Sequence, residues 1–468
     1  MAAAQAAAPP GLAECRLRGV EHTAWCGQVK RPLNPGQPGG MAIDVHFAVL
    51  PALARNRKPD PVFFIAGGPG QSAIDVAAQA QALLARFSNR RDIVLVDQRG
   101  TGRSAPLVCD DDPGRPLADS ADPARRDALL AACRTRLQQL PHGDLAQYTT
   151  TIAMHDLDAV RRALGAGRIN LVGVSYGTRA ALEYLRLYPQ AVRRVVLDGV
   201  APPDMVLPAA FSTDGQAALD ALFAACDAEP ACRTRHPALR AQWQQLLAQL
   251  PREVSVTHPL TGAAERLTVT RDLLLGLVRG PLYVPSLASA LPEAIAQATG
   301  GRFDALAGLA ASMGGGRAGR IAEGLHFSVI CAEDLPRLPA ATDAPGRDFG
   351  DALAATYRRA CDGWPRGAVA PAFYTLPPSP VPVLLLSGGL DPATPPRHGE
   401  RVAKALGPLA RHAVVPNAGH GVMGLGCLRD VVFRFVDAAG ADDAAAVDVA
   451  CAAGVPRPPA FRPLEAAR

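Results

Sequence analysis

The sequence has no run of 18 or more apolar residues; its strongest apolar strings, Val94 to Val96 and Val383 to Leu386, are strand-sized, which excludes a membrane-spanning helix. It has no block of five or six like charges either. The formal net charge of +5 is small for 468 residues and comes mostly from scattered arginine, which argues against nucleic acid as a partner. No Cys-x-x-Cys pair occurs, so the usual thiolate metal and dithiol redox motifs are missing, and no metal or cofactor is expected. Met1 to Pro10 does not set a positive region before an apolar stretch; Ala2 to Ala8 fits only the tail of a removed leader. No internal repeat is visible.

What is there describes a folded chain. Hydrophobic residues make up 49% and charged residues 19%, and the length suits one large domain with an insertion, or two domains. The ten cysteines fall into five neighbouring couples: Cys15 with Cys26, Cys109 with Cys133, Cys226 with Cys232, Cys331 with Cys361, and Cys427 with Cys451. Most lie in loop-like sequence, which points to disulfides and hence to the periplasm or the extracellular space.

The order of elements predicts an α/β fold with a mostly parallel, doubly wound sheet. Met41 to Leu50, Pro61 to Ile65 and Asp92 to Asp97 read as strands, and Thr151 to Leu164 repeats apolar residues at helical spacing up to Gly165. Ile169 to Val174, Gly177 to Tyr188 and Val195 to Leu197 then give strand, helix, strand. From Ala201 to Pro380 the rhythm is lost to helical stretches such as Ala217 to Ala225 and Ala238 to Leu250. Strands return at Val381 to Ser387 and Ala413 to Val415, before a helix around Leu428 to Val436. The expected organisation is a core of residues 1–203 and 381–468 with a mainly helical cap, 204–380, and a Pro-rich hinge at Leu376 to Pro382.

Gly173-Val174-Ser175-Tyr176-Gly177 sits where a strand meets a helix. A serine there occupies a strained turn with its hydroxyl exposed above the sheet, and the helix start directs N–H groups at developing negative charge. A serine hydroxyl needs a histidine to take its proton and a carboxylate to orient that histidine, in the chain order Ser, acid, His. His420, in Ala418-Gly419-His420-Gly421, follows the last strand; Asp391, in Gly388-Gly389-Leu390-Asp391-Pro392, follows the strand before it. Asp391 is the leading acid, and Asp198, after an earlier strand, is the alternative. The oxyanion donors are expected from the amides of Tyr176, the residue after the nucleophile, and Gly68, in the Gly67-Gly68-Pro69-Gly70 loop. These features define the α/β-hydrolase fold.

Gly67 to Gly70, Asp97-Gln98-Arg99-Gly100-Thr101-Gly102-Arg103-Ser104, Gly173 to Gly177, Asp391 and Ala418 to Gly421 together resemble the prolyl and tripeptidyl aminopeptidases, serine peptidases of that superfamily. The resemblance covers about Pro61 to Ala201 and Val381 to the end, and the tail with Cys427 and Cys451 is similar to the secreted tripeptidyl aminopeptidase branch. Ala66 stands where prolyl iminopeptidases usually carry histidine, which points away from the strictly proline-specific group. The resemblance implies cap carboxylates that pair with the substrate's free α-amino group. Glu333 and Asp334 are the first candidates and Glu323 the second, with Glu323 and Asp334 expected on one helix face. Trp364 is expected in the cap core. The implied activity is release of amino acids or short peptides from free N-termini without a metal. An esterase or amidase acting on small esters is the alternative, and a catalytically inactive binding protein a third possibility.

Overall fold

In β4 (Val62–Ile65), Phe63 and Ile65 pack on one side of the sheet and Val62 and Phe64 on the other. Val94 and Val96 divide in the same way from Ile93 and Leu95 in β5 (Ile93–Val96). Side chains alternate across a strand, so a run that is apolar at every position must be covered on both faces. A computed structural model of the chain describes residues 11–109, 112, 114–313 and 320–462; Ala2 to Ala8 lie outside them.

The remaining strands are β1 (Ala13–Cys15), β2 (Ala24–Pro32), β3 (Ala42–Leu50), β6 (Ile169–Val174), β7 (Val192–Asp198), the hairpin β8 (Arg252–Thr257) and β9 (Ala264–Val269), then β10 (Val383–Gly388) and β11 (Ala410–Val415). The main sheet runs β1-β2-β3-β5-β4-β6-β7-β10-β11. The pairings β5·β4, β4·β6, β6·β7, β7·β10 and β10·β11 are parallel, whereas β1, β2 and β3 add an antiparallel edge. Helices Thr150–Ala163 and Tyr176–Leu187 cover one face, and Leu428–Asp437 covers the other. This is the α/β-hydrolase fold, with its core in two layers.

Between β7 and β10 the chain is mostly helical, beginning with Leu207–Ala228, and it encloses its own apolar cluster around Phe223, Trp243, Ile295 and Phe303. The β8·β9 hairpin adds strand to a stretch that the sequence predicts as mainly helical. Trp364 is buried, with its indole N–H donated to Ser328 Oγ at 3.1 Å. All five cysteine couples form disulfides, with Cα–Cα separations from 5.0 to 6.5 Å, and no cysteine is free. Among the described residues no helix is long and apolar enough to cross a membrane.

The turns after β4, β6, β7, β10 and β11 lie at the carboxyl ends of the parallel strands, where open α/β sheets bind ligands. They carry Gly67 to Gly70, Ser175, Asp198, Asp391 and His420 in that order.

Candidate active site

Ser175 caps the Tyr176–Leu187 helix with φ 56° and ψ −125°, a conformation that costs a non-glycine residue about 1–3 kcal/mol. The surroundings over-determine it. The Ser175 N–H donates to Asp198 O at 2.8 Å, while Ser175 O accepts from the Thr178 N–H at 2.8 Å and the Thr178 hydroxyl at 2.6 Å. Glycine at both flanks lets backbone close on backbone: a Cβ on Gly173 would lie 2.3 Å from Gly177 O, and one on Gly177 would lie 2.2 Å from Ile65 O. The sharp strand-to-helix turn is therefore locked, with Ser175 at its apex.

Buried Asp391 and partly buried His420 pair, Oδ2 to Nδ1, at 2.8 Å. The Asp391 carboxylate also accepts the amides of Ala393 at 2.8 Å and Thr394 at 2.9 Å, and the Thr394 hydroxyl at 2.7 Å. Burial opposes its charge, but His420 and these donors outweigh burial and hold its pKa below the ordinary carboxylate value. For His420 burial likewise works against charge, yet the charge and hydrogen bond of Asp391, with Asp198 behind, raise its pKa above the ordinary histidine value. The imidazole is gripped from both sides. Its backbone N–H donates to Tyr283 O at 2.8 Å, and the Tyr283 ring stands edge-on to it at 5.0 Å between centroids.

Asp198, the alternative acid, sits elsewhere. Its carboxylate accepts the amides of Val422 and Met423 at 2.8–3.1 Å, holding the segment just past His420, and burial raises its pKa. Gly199 follows with φ +70°; a Cβ there would lie 3.1 Å from His420 Cε1 and 3.1 Å from Thr394 Oγ1. One turn thus joins the serine, through the Asp198 carbonyl, to the histidine loop, through the Asp198 carboxylate.

The Gly67 to Gly70 loop lies against the serine: a Cβ on Gly67 would be 3.2 Å from Ser175 Cβ. Gly68 has φ +111° and precedes a cis bond to Pro69. Asp97 braces the loop by accepting from the Ser72 hydroxyl at 2.6 Å and the amides of Ile74 at 3.1 Å and Arg103 at 3.3 Å. Arg99 from the same motif is buried and forks onto Asp156 at 2.7 and 3.0 Å. The Asp97 to Ser104 segment is therefore scaffold. Tyr176 is buried as well, its hydroxyl 2.7 Å from Thr150 Oγ1.

The acids expected to meet a substrate amine are placed differently. Asp334 is 0% exposed and forks onto the Arg179 guanidinium at 2.8 and 3.1 Å. Glu333, 1% exposed, accepts the Thr150 amide at 2.7 Å and hydroxyl at 3.0 Å, with Arg179 at 3.6 Å. Both face Arg179 of the Tyr176–Leu187 helix, whose single guanidinium is spent on Asp334, so Glu333 relies on Thr150 as well. Glu323 does not share their environment: it is exposed and lines a surface groove with Arg136 and Phe327. Glu323 and Asp334 bound the same helix, Glu323–Glu333, at opposite ends, the first exposed and the second buried. Sequence reasoning also passed over Thr394, Tyr283, Arg279 and His326. Only Thr394 carries a local signal, since Asp391-Pro-Ala-Thr suits an aspartate that bonds the amides two and three residues on.

The fold and this constellation define the class, and comparison with known proteins narrows it. A model described as alpha/beta hydrolase fold matches residues 60–273, and one described as TAP-like protein matches residues 346–451. The chain is 33% identical over 195 residues to a tripeptidyl aminopeptidase of Streptomyces lividans, covering 38% of this chain and 35% of that protein. It is 27% identical over 419 residues to serine protease Hip1 of Mycobacterium tuberculosis, covering 82% and 79%. It is 30% identical over 427 residues to carboxylesterase B of the same organism, covering 82% and 78%. The match thus spans about a third of the Streptomyces relative and most of the mycobacterial ones. The chain belongs to the α/β hydrolases that carry a TAP-like C-terminal region.

Proposed function

We propose that the chain is a serine peptidase that releases amino acids or short peptides from free N-termini through an acyl-enzyme on Ser175. The carrying observation is the positive-φ serine at the β6 turn, tied through Asp198 to the loop of the Asp391–His420 pair. His420 takes the Ser175 proton as Oγ attacks the scissile carbonyl, and Asp391 holds the imidazole tautomer and stabilises the imidazolium. The amides of Tyr176 and Gly68 receive the oxyanion; each such donor is worth about 3–4 kcal/mol in the transition state. His420 then gives its proton to the leaving amine, and water, activated by the same histidine, frees the acyl group. Residues 204–380 act as a cap over the core formed by 1–203 and 381–468. The similarity to a tripeptidyl aminopeptidase and to Hip1 supports the peptidase assignment. Five disulfides support a periplasmic or secreted location.

An esterase is the second reading, favoured by a specific observation: Glu333 and Asp334 are committed to Arg179 and Thr150, so neither is free to bind a substrate ammonium. The deciding experiment is hydrolysis of proline, alanine and tripeptide chromogenic amides with free and acetylated N-termini, beside a short-chain nitrophenyl ester and an S175A control. Cleavage confined to free-amine amides supports the aminopeptidase. Ester turnover without amide turnover overturns it.

A further inference from the structure

The residues beside the glycine loop and His420 include a cation, the opposite of the charge an ammonium site needs. His326 joins the glycine loop to the inserted segment, with Nδ1 3.2 Å from Pro69 O and Nε2 2.9 Å from Tyr357 Oη. Burial lowers its pKa to about 4, so it stands neutral there. On the other side Tyr283 abuts His420. Arg279, on the Arg271–Leu282 helix, is the cation: its charge acts on Tyr357, Tyr283 and His420 together.

Arg279 is held as a platform. Its guanidinium carbon lies 4.2 Å from the centre of the Phe211 ring and 5.2 Å from that of Tyr283. Its stem passes over Gly215, where a Cβ would come within 3.6 Å of Arg279 Cδ. Stacking on aromatic faces fixes the plane of a guanidinium but leaves its in-plane donors unspent. The protein spends few of them. Nη2 makes one long contact, 3.5 Å to Pro392 O, beside Asp391, the guanidinium also interacts with the Tyr283 hydroxyl, and Nε is buried without a partner. The residue is half-buried and, among the described residues, forms no ion pair, unlike Arg179, Arg99 and Arg397, whose carboxylates are all in place. A cation taken partly out of water without a counter-charge is costly, so its anion comes from outside the chain.

We infer that Arg279 binds a substrate carboxylate adjacent to the scissile bond, so that the enzyme favours substrates with an anionic group there. The inference rests on Ser175 acyl transfer but is indifferent to whether the scissile bond is an amide or an ester. The carboxylate has two possible sources: an acidic side chain on the residue that donates the scissile carbonyl, or the free C-terminus of a short leaving peptide. A guanidinium–carboxylate pair in a site of this kind changes affinity by about 10- to 100-fold.

The test uses the purified full chain and two isosteric substrate pairs. One pair carries Glu or Gln at the residue donating the scissile carbonyl; the other releases a dipeptide ending in a carboxylate or a carboxamide. The expected result is a kcat/KM ratio of about 10 to 100 in favour of the carboxylate member of at least one pair, expressed mainly in KM, and that pair identifies the source. In R279Q the ratio collapses to near one, and in R279K part of it returns, because lysine keeps the charge but not the fork. A ratio is taken within one preparation, so loss of folded protein does not imitate the effect. Ratios near one in the unaltered protein, or a preference that survives R279Q, overturn the inference. Fluorophosphonate labelling of Ser175 separates the two levels: labelling with ratios near one defeats only the carboxylate site, whereas no labelling defeats the acyl-transfer mechanism and the inference with it.

Discussion

At the scale of single residues, the decisive quantity is the proton affinity of His420. It must be neutral to accept the Ser175 proton, and Asp391 raises its pKa above the ordinary histidine value of about 6.5. Activity therefore falls as pH drops through that raised value, so the acidic limb of kcat/KM lies above about 6.5. Asp391→Asn removes the charge that raises it. The limb should move to lower pH while kcat falls by about 10,000-fold, a combination that simple unfolding does not produce and that a pH–rate profile reads directly. Gly199→Ala tests position instead of charge. The new methyl would meet His420 Cε1 and Thr394 Oγ1, each at 3.1 Å, on a backbone with φ +70°. A displaced imidazole costs kcat by about 100-fold, and measurement with an unstrained substrate should show KM nearly unchanged.

At the scale of elements, the Glu323–Glu333 helix and the Tyr176–Leu187 helix meet through a buried polar network of Arg179, Glu333, Asp334 and Thr150. Glu333 shares Arg179 with Asp334, and Asp334 has the better geometry. Burial, only partly offset by Arg179 and Thr150, raises the Glu333 pKa to about 7. The folded state thus keeps a proton that the unfolded chain has released, and the contribution of this residue to stability declines as pH rises from its ordinary value towards 7. Glu333→Gln should abolish that slope: relative to the unaltered protein it gains stability at pH 8 compared with pH 5, as denaturant titrations at the two values would show. The same pair marks a limit of sequence. The strand-turn-helix around Ser175 and the strands before Asp391 and His420 were legible, because apolar runs and glycine spacing are local signals. Whether Glu333 faces substrate or Arg179 depends on a partner more than 150 residues away, and nothing near Arg279 or Tyr283 announces that their helix end abuts His420. The β8·β9 hairpin does carry a local signal: Val254, Val256, Leu267 and Val269 are its buried, alternating positions.

At the scale of the whole molecule, the bridges fasten segments close to one another in sequence. Cys15–Cys26 pins the antiparallel edge, Cys427–Cys451 fastens the tail to the start of the Leu428–Asp437 helix, and Cys331–Cys361 closes the segment that carries Glu333 and Asp334. The last spans 30 residues, and closing a loop of that length removes denatured-chain entropy worth about 3–4 kcal/mol. A C331S/C361S double variant should therefore unfold at a lower denaturant concentration, with an m-value equal to or larger than that of the unaltered protein, because the released denatured chain exposes more surface. Its Ser175 should still react with a fluorophosphonate below the transition, because the elbow is held by β4, β7 and glycine contacts outside the bridged loop. If labelling is lost while the fold persists, the bridge instead positions the site, acting through Glu333, Thr150 and Tyr176. That outcome would make the inserted segment part of the machinery that holds the oxyanion amide, and would join the whole-molecule staple to the single residue after the nucleophile.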